Sequence, residues 1–178
     1  EKMAPALVTL ADIMRSEGFM TSAITDGGFV SALYGFSKGF DSYLERGGGV
    51  FSPDSAGQIS RLASQWLDGN KEKDFFLFIH TYQPHDPHAC PPPYRTMFLE
   101  ANPLWLSLNL MGRLGGYAGI YSELTERERQ NIIGLYDGEI RYTDEALVGP
   151  LIRKLKETGL YDSALIIFTS DHGEEFFD

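Results

Sequence analysis

Cysteine is nearly absent: Cys90 is the only one in 178 residues. No disulfide can form within the chain, and cysteine usage does not assign a redox compartment. Basic residues are also short, with 15 Lys and Arg against 25 Asp and Glu for a formal net charge of −10. That balance argues against a general nucleic-acid or anionic-membrane binder, which needs a basic face. It leaves an anionic substrate open, because a bound cation reverses the local field. No apolar run reaches the roughly 20 residues of a membrane span. No signal-peptide pattern opens the sequence, and no repeat or low-complexity segment interrupts it.

What is present suits one soluble globular domain with a real core, at 43% hydrophobic and 22% charged residues. The start, Glu1-Lys2-Met3-Ala4-Pro5, reads as mid-protein, and the chain stops at Asp178, six residues past the His172 of its best motif. Both ends are expected to be cut from something longer.

Periodicity supplies the elements. Leu7, Leu10, Ile13 and Met14 have helical spacing after Pro5, with Gly18 as a stop. Phe19 to Thr25 predicts a short strand. Residues 26–49, rich in glycine, predict a loop with at most short elements. Ser52-Pro53-Asp54 starts a helix whose apolar face is Ile59, Leu62, Ala63, Trp66 and Leu67. Phe75 to Thr81 reads as a strand buried on both faces. Residues 95–122 read as an insertion or lid. Thr125-Glu126-Arg127-Glu128 is a capping box opening a long helix, with a kink expected near Val148-Gly149 because of Pro150. Ala164 to Thr169 predicts a second buried strand. Strands alternating with helices predict a mainly parallel sheet with helices on both faces, whose ligands gather beyond the carboxyl ends of the strands.

Two polar clusters stand at such ends. Asp171 and His172 follow one strand and precede Gly173. A carboxylate and an imidazole both ligate divalent metals, and a turn at Gly173 would let neighbours converge on one ion. The competing reading is a polar loop with Asp171 as a helix cap. His80, His85 and His88 follow the other strand within nine residues. They are a zinc cluster, substrate-binding donors, or incidental to a proline-stiffened loop. The spacing matches no strong zinc pattern. A histidine held there suits donation to an anionic oxygen or protonation of a leaving group. Asp137 and Glu139 lie two apart on a helix and face different ways. Their segment reads as structural, with aromatic packing and ion pairs around Arg141.

Phe168-Thr169-Ser170-Asp171-His172-Gly173-Glu174-Glu175 resembles the late metal-binding motif of sulfatases, within the alkaline phosphatase superfamily. Tyr136-Asp137-Gly138-Glu139-Ile140-Arg141-Tyr142-Thr143-Asp144, Phe76 to Pro87, and Thr9 to Met14 followed by Glu17-Gly18-Phe19 fall in the same family order. The resemblance implies an incomplete three-layer αβα sandwich, alkaline-phosphatase-like, with residues 1–178 a single partial catalytic domain. It implies a metal-dependent hydrolase of small-molecule or carbohydrate sulfate esters. Its nucleophile would be a formylglycine, and it would use one divalent cation, calcium before manganese or magnesium. Asp171 and His172 would be metal ligands, and His85 would contact the sulfate and assist the leaving oxygen. His80 and His88 match no such role. A phosphonate or phosphate ester hydrolase of the same superfamily, or a non-catalytic domain retaining the fold, is the alternative.

Several family features are missing. Cys90 does not fit the nucleophile motif, because Arg95 falls one place too late and the segment lies too far along the chain. The early aspartates of the metal site would precede Glu1. Asp26-Gly27-Gly28-Phe29-Val30 stands where the family has a Gly-Lys-Trp-His type segment, and Lys38 does not replace its lysine. These 178 residues are therefore expected to be inactive alone. Their open sheet edge is expected to invite oligomerisation.

Overall fold

The computed structural model describes residues 2–4, 6–47, 52–86, 88–100 and 124–176. Its centre is a three-stranded parallel sheet in the order β2-β1-β3, with β1 Met20–Thr25, β2 Ser42–Glu45 and β3 Phe75–Ile79. Ala23 is opposite Tyr43 on one side and Phe78 on the other. From Thr21 to Thr25 every residue of β1 is buried, as a strand covered on both faces must be.

Alternation sorts the strands into two faces. Ile24, Leu77 and Ile79 meet helix α2 (Ser55–Asn70), which packs Ala56, Ile59 and Ala63 into the same core. Ile59, Ala63 and Leu67 recur every four residues and form its buried stripe, as the periodicity predicts. On the opposite face Phe40 stacks on Phe76 with ring centroids 5.9 Å apart. There the Thr21 hydroxyl donates to the Gly39 carbonyl at 2.9 Å. Helix α1 (Leu10–Ser16) starts later than its apolar spacing suggested. Thr9 caps it, in a box with Asp12, and that box outcompetes continuation back to Leu7.

The glycine-rich segment hides a strand. β2 is only four residues long and alternates exposed with half-buried positions, so glycine density masked it. The expectation of a doubly buried β3 is also corrected. β3 is half-buried and lies at an edge of the sheet, with Phe78 37% exposed.

Helix α3 (Glu126–Thr143) begins with the predicted capping box of Thr125 and Glu128. Gly134 and Gly138 lie one turn apart on its buried side. A Cβ on them would sit 2.5 Å from the Phe98 carbonyl oxygen and 2.4 Å from that of Tyr94. Glycine here lets segment 94–98 lie directly on the helix. The kink expected near Pro150 takes the form of a π-helical stretch, Asp144–Val148. Helix α4 (Gly149–Glu157) continues directly from it with Pro150 at its start, and the widened π-helical turn accommodates the proline ring and its missing N–H.

The largest correction concerns Ala164 to Thr169. This run pairs with no strand among the described residues, and Leu165, Ile167 and Phe168 are 87%, 74% and 80% exposed. Apolar β-branched character makes a buried strand only where a neighbour completes the hydrogen-bond ladder and a layer covers it. Neither is present among the described residues. Of the predicted 95–122 insertion, residues 101–122 lie outside the described residues, as do Gly48 and Gly49 of the glycine-rich reading.

The carboxyl ends of all three strands converge on Asp26, which is fully buried. One oxygen accepts from Arg46 Nε at 2.6 Å, just past β2. The other accepts from the Tyr82 amide at 2.9 Å, just past β3, and from the Ser55 hydroxyl at the start of α2. Removing this carboxylate leaves a buried guanidinium uncompensated. Asp26→Ala should therefore cost about 3–5 kcal/mol in urea unfolding. A loss below about 1 kcal/mol would show that the convergence is not what holds the strand ends together.

Candidate functional site

The loop after β3 is built from the sheet outward. The His80 amide donates to the Ile24 carbonyl at 3.0 Å and so extends the ladder one residue beyond β3. Gln83 then anchors the chain. Its Oε1 accepts from the Ala56 amide at 2.8 Å, in the first turn of α2, where amides lack helical partners. Its Nε2 donates to the Pro53 carbonyl at 3.1 Å and to Glu139 Oε2 at 2.8 Å. Further on, the Cys90 amide donates to Glu139 Oε1 at 2.6 Å. Between these anchors the chain turns, with the His85 amide on the Tyr82 carbonyl at 2.6 Å.

His85 stands on that turn, its side chain 45% exposed. Its Nδ1 lies 2.7 Å from the Asp86 carbonyl oxygen and 2.8 Å from Asp86 Oδ1. Two acceptors there place the proton on Nδ1 and leave Nε2 outside the Asp86 contacts. His80 and His88 differ from it. His80 sits edge-on to Tyr82 at 4.9 Å, and Tyr82 is edge-on to His85 at 6.1 Å. His88 sits edge-on to Tyr136 at 5.7 Å. Burial lowers the pKa of both, so both rings are held neutral near pH 7.

The late motif runs beside this loop. Asp171 lies close enough to His80 for its charge to favour protonation of that ring. Phe176 closes edge-on over Tyr136 at 5.4 Å. Residues 171–176 thus pass from His80 to the ring of Tyr136, along the carboxyl end of β3. Asp171 and His172 face outward, their side chains 91% and 66% exposed. His172 Nδ1 lies 2.7 Å from the Gly173 carbonyl oxygen. Donation to that carbonyl frees Nε2 as a lone-pair donor, an arrangement typical of a metal-binding histidine. The Gly173 carbonyl and then Asp171 raise the His172 pKa. Among the described residues no three His, Cys, Asp or Glu side chains form a cluster able to hold an ion. Asp171 and His172 fit a divalent cation as two adjacent donors, a part of the six to eight ligands calcium takes.

Cys90 is buried, and burial followed by the Glu139 charge pushes its thiol up to about 12. Such a thiol is inert as a nucleophile. Lys38 pairs with Asp12 at 2.8 Å, against α1. Asp137 is exposed, whereas Glu139 is 1% exposed, so the two do face different ways. Arg141 forms its ion pair with Glu145, one turn on. Sequence reasoning passed over Asp26 and Gln83. Asp26 follows β1 as His80 follows β3, so the rule that singled out the histidine applied to it equally.

A model of the sulfatase family matches residues 2–178. The multifunctional alkaline phosphatase superfamily protein PehA of Trinickia caryophylli is 34% identical over 141 residues, which cover 67% of this chain and 27% of that protein. An ulvan-active sulfatase of Formosa agariphila is 29% identical over 129 residues, 71% of this chain and 22% of that one. Arylsulfatase K of Bos taurus is 34% identical over 76 residues, 40% of this chain and 14% of that one. The chain therefore spans no more than 27% of the length of these curated relatives. Among solved structures, the C-terminal periplasmic domain of EcEptC from Escherichia coli, in complex with Zn, superposes with a TM-score of 0.58 at 17% identity. The match covers 86% of this chain and 40% of that one, and it shows a shared alkaline-phosphatase-like fold.

Two predictions follow from the burial of Cys90 and of two histidines. Cys90 should resist iodoacetamide in the folded protein at pH 8 and react only on unfolding, as followed by mass spectrometry. Rapid labelling of the native state would contradict its burial. For His80 and His88 the folded pKa lies below the unfolded value of 6.5. The unfolded chain then takes up protons first, so their stabilisation is complete above pH 6.5 and is lost as pH falls through the folded values. Urea midpoints between pH 7.5 and 5.5 should drop more for the natural protein than for a His80→Gln/His88→Gln variant. Taking that difference cancels the other titrating groups, and parallel profiles would refute the effect.

Proposed function

The chain belongs to the sulfatase family, and from that premise we propose that the whole protein hydrolyses sulfate esters with the help of a divalent cation. The observation carrying this reading is the juxtaposition at the carboxyl end of β3. His85, with its Nε2 open, stands on a half-exposed turn, and the Asp171-His172 pair passes beside the same loop.

In its doubly protonated form His85 would donate from Nε2–H to a sulfate oxygen and give that proton to the departing ester oxygen, leaving the Nδ1–H ring that Asp86 holds in place. Proton transfer by a placed side chain of this kind contributes about 10²–10⁴-fold to rate. Asp171 and His172 would hold the cation together with donors from elsewhere in the protein. The family resemblance favours calcium over manganese or magnesium. When bound, such a cation polarises the ester oxygens as a Lewis acid. The nucleophile, a formylglycine by the same resemblance, would also come from outside this chain. Without it and the remaining metal donors the 178 residues should be inactive by themselves. The substrate class is a small-molecule or carbohydrate sulfate ester, and the name of the ulvan-active relative supports the carbohydrate member.

A phosphonate or phosphate ester hydrolase is the second reading. One observation favours it: the relative from Trinickia caryophylli is named as a multifunctional member of the superfamily. The tetrahedral anions are alike, so the site geometry serves either.

The full-length protein should turn over an aryl sulfate with higher kcat/KM than the matching aryl phosphonate or phosphate. The reverse order would replace the first reading by the second. In calorimetry with calcium, manganese and magnesium, Asp171→Ala should abolish cation binding. Unchanged binding would remove Asp171 from the metal site.

A further inference from the structure

We infer that Glu139, on α3, is a positioning residue for His85: its buried carboxylate clamps both ends of the His85 loop. This rests on the reading of His85 given above and extends it to a residue with no access to substrate. Glu139 is 1% exposed. Its two oxygens take different ends of the loop, Oε2 from Gln83 Nε2 at 2.8 Å and Oε1 from the Cys90 amide at 2.6 Å. The Ala89 amide adds a further donor. Between those two ends Pro84 has no N–H to donate, the His85 amide reaches the Tyr82 carbonyl, and the His88 ring bonds back to the Pro84 carbonyl. Gln83 links the same carboxylate to Ala56 and Pro53 at the start of α2. The position of His85 is thus referred to two helices through one carboxylate.

The balance of forces at Glu139 supports this role. Burial raises its pKa, and donors from Cys90, Gln83 and Ala89 oppose that rise. No cation contacts it among the described hydrogen bonds and ion pairs. A carboxylate kept in such a place by neutral amide donors depends on their geometry, and they depend on it. Glu139→Gln would put an NH₂ where the carboxylate faces the Cys90 or Gln83 donor, and one end of the loop would come free. A displacement of about 1 Å at a reacting group can cost up to about 10²-fold in rate.

The test is a double-mutant cycle in the full-length protein with two sulfate esters, one with a nitrophenyl and one with an alkyl leaving group. Glu139→Gln should lower kcat about 10- to 100-fold with KM little changed. The loss should be larger for the alkyl ester, whose leaving oxygen needs the proton more. In a His85→Ala background the same substitution should change kcat/KM less than about twofold, because it acts through a group already gone. Glu139→Asp keeps the carboxylate with a shorter reach and should show a smaller loss with the same leaving-group preference. It carries the test if Glu139→Gln does not fold. Equal losses for both esters, or additive losses in the cycle, would overturn the inference and leave the role of His85 standing. Unchanged turnover in His85→Ala alone would instead overturn that role, and the inference with it.

Discussion

The arrangement depends on a buried carboxylate that gathers the ends of three strands. A charged group taken from water costs several kcal/mol after relaxation, and it stays ionised only if opposite charge and donors replace its hydration. Asp26 has Arg46, the Tyr82 amide and the Ser55 hydroxyl within reach. Each partner belongs to a different element. β1 supplies Asp26, the end of β2 supplies Arg46, α2 supplies Ser55 and the segment past β3 supplies Tyr82. The carboxylate ties together strand ends whose crossovers, 26–41 and 46–74, leave the sheet and return.

A second buried carboxylate divides the labour. Asp26 fixes the loop after β3 at Tyr82, and Glu139 fixes it at Gln83 and Cys90. The stretch between is left to project, and His85 stands on it. Among the described residues the first carboxylate is paired with a cation, and the second with amide donors and the Cys90 thiol. The first therefore belongs to the stability of the fold, while the second sets where the loop lies. Gly138 lets the Tyr94 carbonyl press against α3 on the far side of the same loop, so the helix bearing Glu139 is itself held close.

Much of this was legible in the sequence wherever a local rule decides the outcome. Thr125 with Glu128, and the four-residue recurrence of Ile59, Ala63 and Leu67, specify helices from neighbouring residues alone. β1 was legible because it follows the Gly18 stop directly and carries Thr21, Ile24 and Thr25, which favour a strand. β2 was not, because four residues among glycines carry too little pattern, and its pairing is decided by Arg46 reaching Asp26 across the sheet. Ala164 to Thr169 shows the limit from the other direction. Its composition satisfies every local rule for a strand, yet burial and pairing come from neighbours. The same holds at the site. His85 and the Asp171-His172 pair stood out by residue type and position after predicted strands. Asp26 satisfied the same positional rule and was passed over, whereas Gln83 carried no such signal, because its importance lies in partners many residues away. Glu139 was read as structural, and its burial agrees with that, but its partners on the His85 loop could be identified only in three dimensions.

The charge distribution bears on what the site can accept. The edge that holds His85 also holds Asp86, Asp171 and Glu174, and Asp26 and Glu139 lie beneath it. Of the four histidines in the chain, His80 and His88 are kept neutral by burial, and they add no positive charge there. At His172 the Gly173 carbonyl and then Asp171 raise the proton affinity. A sulfate ester approaching Asp86, Asp171 and Glu174 would meet like charge, which repels over about a Debye length of 8–10 Å. A divalent cation gripped in part by Asp171 and His172 would reverse the sign where the anion must sit.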